Sequence, residues 1–500
     1  MTRKMGLGFG VGCVALALVG CSGEESKDSA VEATFDIPEV MEVEPMEGPF
    51  ETVIADDVDP AENVVAVVLE AKPATVKIAD GIEVEMWTYN GVFPGPQISA
   101  KVGDTVRVTL KNSLPESTTI HWHGVRVPAA MDGVPTLQSP IGVGEEFVYE
   151  FVVPDAGTFW YHPHIRSDEQ VERGLVGTIV VRGNDEPETT TDRVFVLDDL
   201  LLNAEGQLAP FEVQQAMVGR QGNLVVVNGK ANPIVAMEPG GLHRFRFVNA
   251  ANARYFRLKL DGRSLTQIAS DGGLLESPQT IEEILLVPGE RAEVVVTADS
   301  QEGEMLTWKS GVYDRGHGTG AAPEVVLFQS KTMGEAVVNP PAIPSSLRVI
   351  DKLGEPIIQR TLKLEESMGN MGEGGHAGHQ GHGSGSGTMV MEPTFSFNGK
   401  TWPDGEQFVG KLTTVEEWIL DNTTEMDHPF HLHGFRFQVT DNHGETPTFA
   451  AWRDTINVKA KQTTTLRVLL EDHPGQWMFH CHILEHAERG MMGHLDVTAP

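Results

Sequence analysis

The stretch His480-Cys481-His482-Ile483-Leu484-Glu485-His486, with Met491 five residues beyond, decides how this chain is read. On a strand, residues i and i+2 share a face about 6–7 Å apart. His480 and His482 therefore aim two imidazoles at one place, while Cys481 points to the opposite face. The thiol and the imidazoles must serve two different sites joined through a few covalent bonds. The same pattern recurs. Gly475-Gln476-Trp477-Met478-Phe479-His480-Cys481-His482 resembles Gly157-Thr158-Phe159-Trp160-Tyr161-His162-Pro163-His164, with a Gly five residues before the first His and aromatics between. Phe430-His431-Leu432-His433-Gly434 likewise resembles Ile120-His121-Trp122-His123-Gly124. Each half of the chain thus holds two His-x-His elements, about 40 residues apart in the first half and about 50 in the second.

The sequence around these motifs alternates apolar and polar residues with period two, at 102–110, 243–248, 292–296, 415–420 and 464–469, the pattern of half-buried strands. Long helical patterns are scarce, so the class is all-β, built of sandwiches. The middle of the chain repeats the strand patterns, at 244–249 and 304–308, without a histidine at the matching places. The expectation is three consecutive copies of one Greek-key β-sandwich, over residues 63–185, 186–340 and 341–500, with the first and third carrying ligands. The joins fall at the polar segment 183–192 and the proline cluster 339–344.

Five hundred residues with 40% hydrophobic content agree with about three domains. Aromatic content of 7% and charged content of 22% exclude wholesale disorder. The 37 Lys+Arg against 71 Asp+Glu give 37 − 71 = −34; so acidic a surface repels phosphate backbones and excludes nucleic acid as a partner. Residues 1–20 carry Arg3 and Lys4 before an apolar run, the form of an export signal and too short for a comfortable membrane span. Leu18-Val19-Gly20-Cys21 resembles a bacterial lipobox, which implies acylation of Cys21 and an exported, lipid-anchored protein. Residues 21–62 are acidic and aperiodic, and read as a flexible tether. Of three cysteines, Cys13 is then discarded and Cys21 capped, leaving Cys481 as the one thiol in an oxidising compartment.

Ten of the 18 histidines fall in four clusters: His121/His123, His162/His164, His428/His431/His433 and His480/His482/His486. A thiolate with two imidazoles and a weak axial thioether is the ligand set of a blue-copper centre. Cys481 supplies the sulfur, His486 one nitrogen, Met491 the thioether, and His428 is the candidate second nitrogen. Eight histidines remain, in pairs split between the first and third copies, and suit a cluster of three metals between them. Zinc usually closes sites from C-x-x-C spacings, absent here, and an iron–sulfur cluster needs more thiols.

With these motifs in order, residues from about 64 onward resemble the multicopper oxidases, of bacterial laccase and cuprous oxidase type. The resemblance implies three cupredoxin domains and four copper ions: one type 1, one type 2 and two type 3. By motif position, type 1 takes His428, Cys481, His486 and Met491, and type 2 takes His121 and His431. One type 3 copper takes His123, His162 and His482; the other takes His164, His433 and His480. The implied reaction couples four one-electron oxidations to reduction of O2 to two waters. Asp132 matches an acid that members use to deliver protons. A second acid often follows the histidine corresponding to His486, but Ala487 stands there, so either Glu485, Glu488 or water substitutes, or proton delivery relies more on Asp132. The Gly/Ser-rich segment 367–391 holds Met368, Met371, His376, His379, His382, Met389 and Met391. Thioethers select Cu(I), so the expected donor is Cu(I), phenols, or both, oxidised by a monomer. The alternative is a copper-sequestering lipoprotein without turnover. Some relatives have lost their copper ligands and act in cell division, but this chain keeps all ten histidines, Cys481 and Met491. The other histidines, His243, His317, His443, His473 and His494, read as surface or structural.

Overall fold

The structure is a computed structural model that describes residues 37–48, 50–184, 186–316, 320–368 and 393–500. The export signal, Cys21, His317 and positions 369–391 of the Met/His-rich segment lie outside the described residues.

Strands build three sandwiches on one plan. In each, one sheet has a parallel pair at its centre: Val64–Ala79 with Thr105–Asn112, Thr191–Leu200 with Leu242–Asn249, and Ile358–Met368 with Thr414–Asn422. The opposing sheets also share a parallel pair: Ile98–Lys101 with Gly177–Arg182, Ile234–Met237 with Val325–Thr332, and Gln407–Lys411 with Met492–Thr498. Antiparallel neighbours extend each sheet to a common four-strand order; the sheets of the second and third sandwiches carry one or two further strands at the edge. Each pair of sheets closes on its own aromatic-rich core, around Trp122 and Phe159 in the first, Trp308 and Phe328 in the second, and Trp418 and Phe479 in the third. The helices of the described residues are short: Ser167–Glu172, Val213–Val218, Leu484–Glu488 and the 3-10 turn Ala129–Met131.

Two sequence expectations need correction. Residues 37–62 do not form a free tether. Phe50 is buried in the second core against Phe195, Met46 bridges Pro233, and Ile54 bridges Gln97. The aperiodic sequence hid this, because docking through isolated bridges and one aromatic has no period. The alternating strand Leu242–Asn249 does not show its polar face to water either; every residue in it is buried.

That polar face is paired instead. Arg244 donates to Glu293 Oε2 at 2.7 Å, and Arg246 donates to Glu293 Oε1 at 2.9 Å and to Asp192 Oδ1 at 2.5 Å. Thr158 of the first sandwich donates its hydroxyl to Glu293 Oε1 at 2.7 Å. The cluster therefore clamps the second sandwich to the first. Burial pushes the Asp192 and Glu293 carboxyls up, but the arginines outweigh it and hold both below the usual carboxylate range. Carboxyls lowered in the folded state contribute stability above their ordinary pKa, near 4, and lose it as pH falls below that value. Glu293→Ala leaves two buried guanidiniums short of a partner and is expected to cost about 3–5 kcal/mol in denaturant unfolding, a loss that shrinks as pH drops below about 4.

Candidate metal centre

Strand register brings the histidines together. In the first sandwich His121 lies opposite His162 on antiparallel strands; in the third His431 lies opposite His480. The two copies thus present matching pairs, and the first and third sandwiches meet across them. His121 stacks on His433 at 3.8 Å between ring centroids, and His123 on His431 at 3.7 Å. Just past Cys481 the chain turns into Leu484–Glu488, which carries His486 back to the thiol.

The donor atoms form compact groups. Those of His123, His162 and His482 lie within 4.8 Å of one another, as do those of His164, His433 and His480, of His121, His123 and His431, and of His428, Cys481 and His486. Every one of these residues is buried. His121 and His431 have ring centroids 5.8 Å apart. The other described histidines, His243, His443, His473 and His494, enter none of these groups. His243 is held by the Thr191 hydroxyl at 2.8 Å and the Glu238 carbonyl at 3.1 Å.

The hydrogen bonds around the rings test whether metals fit. An imidazole whose one nitrogen donates to an oxygen presents the other as a lone pair. His121 Nδ1 donates to the Asp132 carbonyl at 3.0 Å, His162 Nδ1 to the Pro163 carbonyl at 2.9 Å, and His431 Nδ1 to the Asp454 carbonyl at 2.9 Å. Their Nε2 atoms are buried without a partner. His480 Nδ1 donates to the Cys481 carbonyl at 2.8 Å and His433 Nδ1 to Asp132 Oδ2 at 2.8 Å, which turns their Nε2 atoms on each other at 3.1 Å. Two lone pairs facing at that distance want a cation between them. Burial, and then the neighbouring imidazoles, hold His123, His162, His164, His431, His433 and His482 well below the ordinary histidine range. Burial lowers His480 to about 4. Neutral, pre-oriented imidazoles are what a copper cluster needs.

At the second site, His428 Nε2 donates to Thr424 Oγ1 at 2.9 Å and His486 Nε2 to the Met217 carbonyl at 3.1 Å. Their Nδ1 atoms face Cys481 Sγ at 3.5 and 3.8 Å. Burial raises the Cys481 thiol above its ordinary range, so a soft cation is the natural replacement for its proton. Met491 is buried in the same core, its carbonyl accepting from Cys481 N at 3.1 Å and its N–H donating to His486 O at 3.0 Å. Phe395 stacks on His486 at 3.9 Å.

Asp132 is fully buried, and its Oδ1 makes no hydrogen bond. Ala487 is buried beside Glu485, whose Oε1 accepts from Asn252 Nδ2 at 2.8 Å and whose carboxyl burial pushes up to about 8, with Asp168 adding to the effect. Glu488 is tied to Ser167 at 2.7 Å. Sequence reasoning missed Thr424, Met217, Phe395, Asp454, Arg291 and Gly289. Gly289 has a φ of +89°, and a Cβ there would sit 2.9 Å from His123 and 3.0 Å from His482. Thr424 and Met217 act through one oxygen each, which leaves no motif to find.

Residues 70–186, 183–319 and 384–500 each match a multicopper oxidase family domain. The chain is 31% identical to the multicopper oxidase mco of Staphylococcus haemolyticus over 82% of this chain and 83% of that one. It is 30% identical to the cell division protein FtsP of Proteus mirabilis, over 83% and 85%. A multicopper oxidase from Campylobacter jejuni, described as a metallo-oxidase, superimposes with a TM-score of 0.78 at 31% identity, covering 93% of this chain and 96% of that one. With three sandwiches on one plan and histidine groups suited to copper at their junction, this chain belongs to the multicopper oxidase family.

Proposed function

We propose that the protein is an exported oxidase that couples oxidation of Cu(I) to reduction of O2. His428, Cys481, His486 and Met491 hold the type 1 copper; His121 and His431 hold type 2. His123, His162 and His482 hold one type 3 copper, and His164, His433 and His480 the other. Bound there, the four coppers supply four one-electron oxidations of the donor and the four-electron reduction of O2 to two waters. The main chain of 480–482 is the short covalent link between the two sites, since Cys481 faces one and its neighbours face the other. Asp132 Oδ1, buried and without a hydrogen bond beside His121, is the atom that holds and passes protons to the cluster.

One observation carries the choice of donor. The strand Ile358–Met368 pairs with Pro393–Phe397, with Met368 opposite Pro393, so the Met/His-rich segment between them springs from a hairpin stem. Phe395 of that stem is the residue stacked on His486. The two strands that flank a segment rich in thioethers and imidazoles thereby end beside His486. Phenols are the competing donor. Cys21 acylation would keep the enzyme on the outer face of a membrane.

Oxygen uptake by copper-loaded protein with Cu(I) and a simple phenol as rival donors tests the reading. Replacing 369–391 with a short Gly/Ser turn is expected to abolish the preference for Cu(I) while phenol turnover persists. A preference that survives the replacement would identify a general laccase. Copper uptake without turnover would favour sequestration. Asp132→Asn keeps an acceptor for His433 and is expected to retain the blue absorption band while slowing oxygen uptake about 100-fold or more. Cys21→Ser is expected to move the protein from the membrane to the soluble fraction and to end fatty-acid labelling.

A further inference from the structure

Asp132 has a counterpart across the junction. The Asp132 carbonyl accepts from His121 of its own sandwich, and its carboxylate accepts from His433 of the third. The Asp454 carbonyl accepts from His431 of its own sandwich, and its carboxylate Oδ1 accepts from His123 Nε2 of the first at 3.1 Å. The stacked pairs His121/His433 and His123/His431 obey the same exchange. The two aspartates thus occupy equivalent places in the first and third repeats.

They differ in what grips them. Asp132 Oδ1 makes no hydrogen bond, whereas both Asp454 oxygens are taken by Arg291 of the second sandwich, each at 2.6 Å. Arg291 is itself immobilised: Nε donates to the Thr158 carbonyl at 3.0 Å, Nη1 to the Gly289 carbonyl at 3.1 Å, and Nη2 to the Asp271 carbonyl at 3.0 Å. The Gly that ends the first His-x-His-Gly motif makes room for this pair. A Cβ on Gly124 would lie 2.4 Å from Arg291 Nη2 and 2.6 Å from Asp454 Oδ2.

Resting on the copper reading above, we propose that Asp454, clamped by Arg291, is a positioning residue for the cluster. A carboxylate bound bidentately by guanidinium offers only acceptors, so His123 must carry its proton on Nε2. Its Nδ1, buried without a partner, is then the only lone pair aimed inward, and the Thr455 hydroxyl, 3.1 Å from the same Nε2, reinforces the choice. His123 presents the nitrogen opposite to that of His121, His162 and His431, so without this lock its ring has no reason to turn that way. All three sandwiches enter one chain of contacts, from Arg291 through Asp454 to His123.

The test compares two double variants that remove Asp454 and Arg291 together, so that both lose the same contact to buried Asp271 and differ only in the acceptor oxygen left for His123. Asp454→Asn/Arg291→Gln keeps an acceptor oxygen for His123; Asp454→Ala/Arg291→Gln removes it. Both are loaded with copper as full chains, and copper per chain, the blue band, the type 2 paramagnetic signal and release to a chelator are measured. The Ala variant is expected to keep its blue band and release cluster copper about 10–100-fold more readily than wild type. The Asn variant is expected to stay within a few-fold of wild type. Equal retention by both variants would overturn the proposal, as would loss of the blue band in step with cluster copper in both, which would mark a merely structural pair. Wild type that takes up copper without a blue band would instead sink the oxidase reading itself.

Discussion

A buried imidazole must find an acceptor for one nitrogen while keeping the other turned inward, and much of this structure follows from that demand. Eight of the ten clustered rings do so, whereas His482 has both ring nitrogens buried without a partner. In water a histidine satisfies both nitrogens freely. Sealed between sandwiches, it is pushed toward the neutral form, and its remaining N–H costs about as much as any buried polar group if left unmet. The acceptors here are chiefly backbone carbonyls close to the ligands themselves: Pro163, Cys481, Asp132 and Asp454. Cys481 ends a strand, Pro163 and Asp454 directly flank strand ends, and Asp132 caps the 3-10 turn Ala129–Met131, so the ring orientations are set by how the sheets end. The His-x-His repeat is the visible trace of that economy.

Among its described residues the second sandwich supplies no member of the histidine groups, yet the site would be incomplete without it. Its Met217 carbonyl orients His486, and the backbone at Gly289 lies against His123 and His482. Arg291 reaches Asp454, and Arg246 is held to the first sandwich through Glu293 and Thr158. A domain outside the donor groups thus still fixes the geometry of two others. A chain with the first and third copies alone would hold the ligands but lose the wall that orients several of them.

The sequence made the histidine groups legible because strand geometry ties chemistry to spacing: i and i+2 converge, and the residue between diverges. Repetition supplied the domain plan, since matched motifs demand matched sheets, and the parallel pairings bear out a single plan used three times. What stayed hidden acts through tertiary contact. Asp454 sits in an ordinary run, Trp452-Arg453-Asp454-Thr455, and only the fold reveals that it mirrors Asp132. Leu242–Asn249 misled in a different way. Alternation shows that two faces differ in polarity, but it does not say whether the polar face meets water or a buried partner, and Arg244 and Arg246 meet Glu293. The stretch 37–62 misled through its charge, because one Phe50 in a neighbouring core outweighs many solvated acids.

On the proposed reading, Cys481 also accounts for how oxidation of a donor and reduction of O2 would be kept apart along a single short strand. Its sulfur belongs to a core of Phe430, Trp477, Phe479 and Met491, whereas the rings on either side of it belong to the junction between sandwiches. Its carbonyl accepts from His480 Nδ1 at 2.8 Å, so a hydrogen bond runs beside the covalent path from the thiol's own residue to a ring at the junction. A donor held near Phe395 and His486 on one side therefore never needs to approach the site where O2 would react. Placing the thiol anywhere but between the two histidines would break either the separation or the connection, because only opposite faces of one strand provide both.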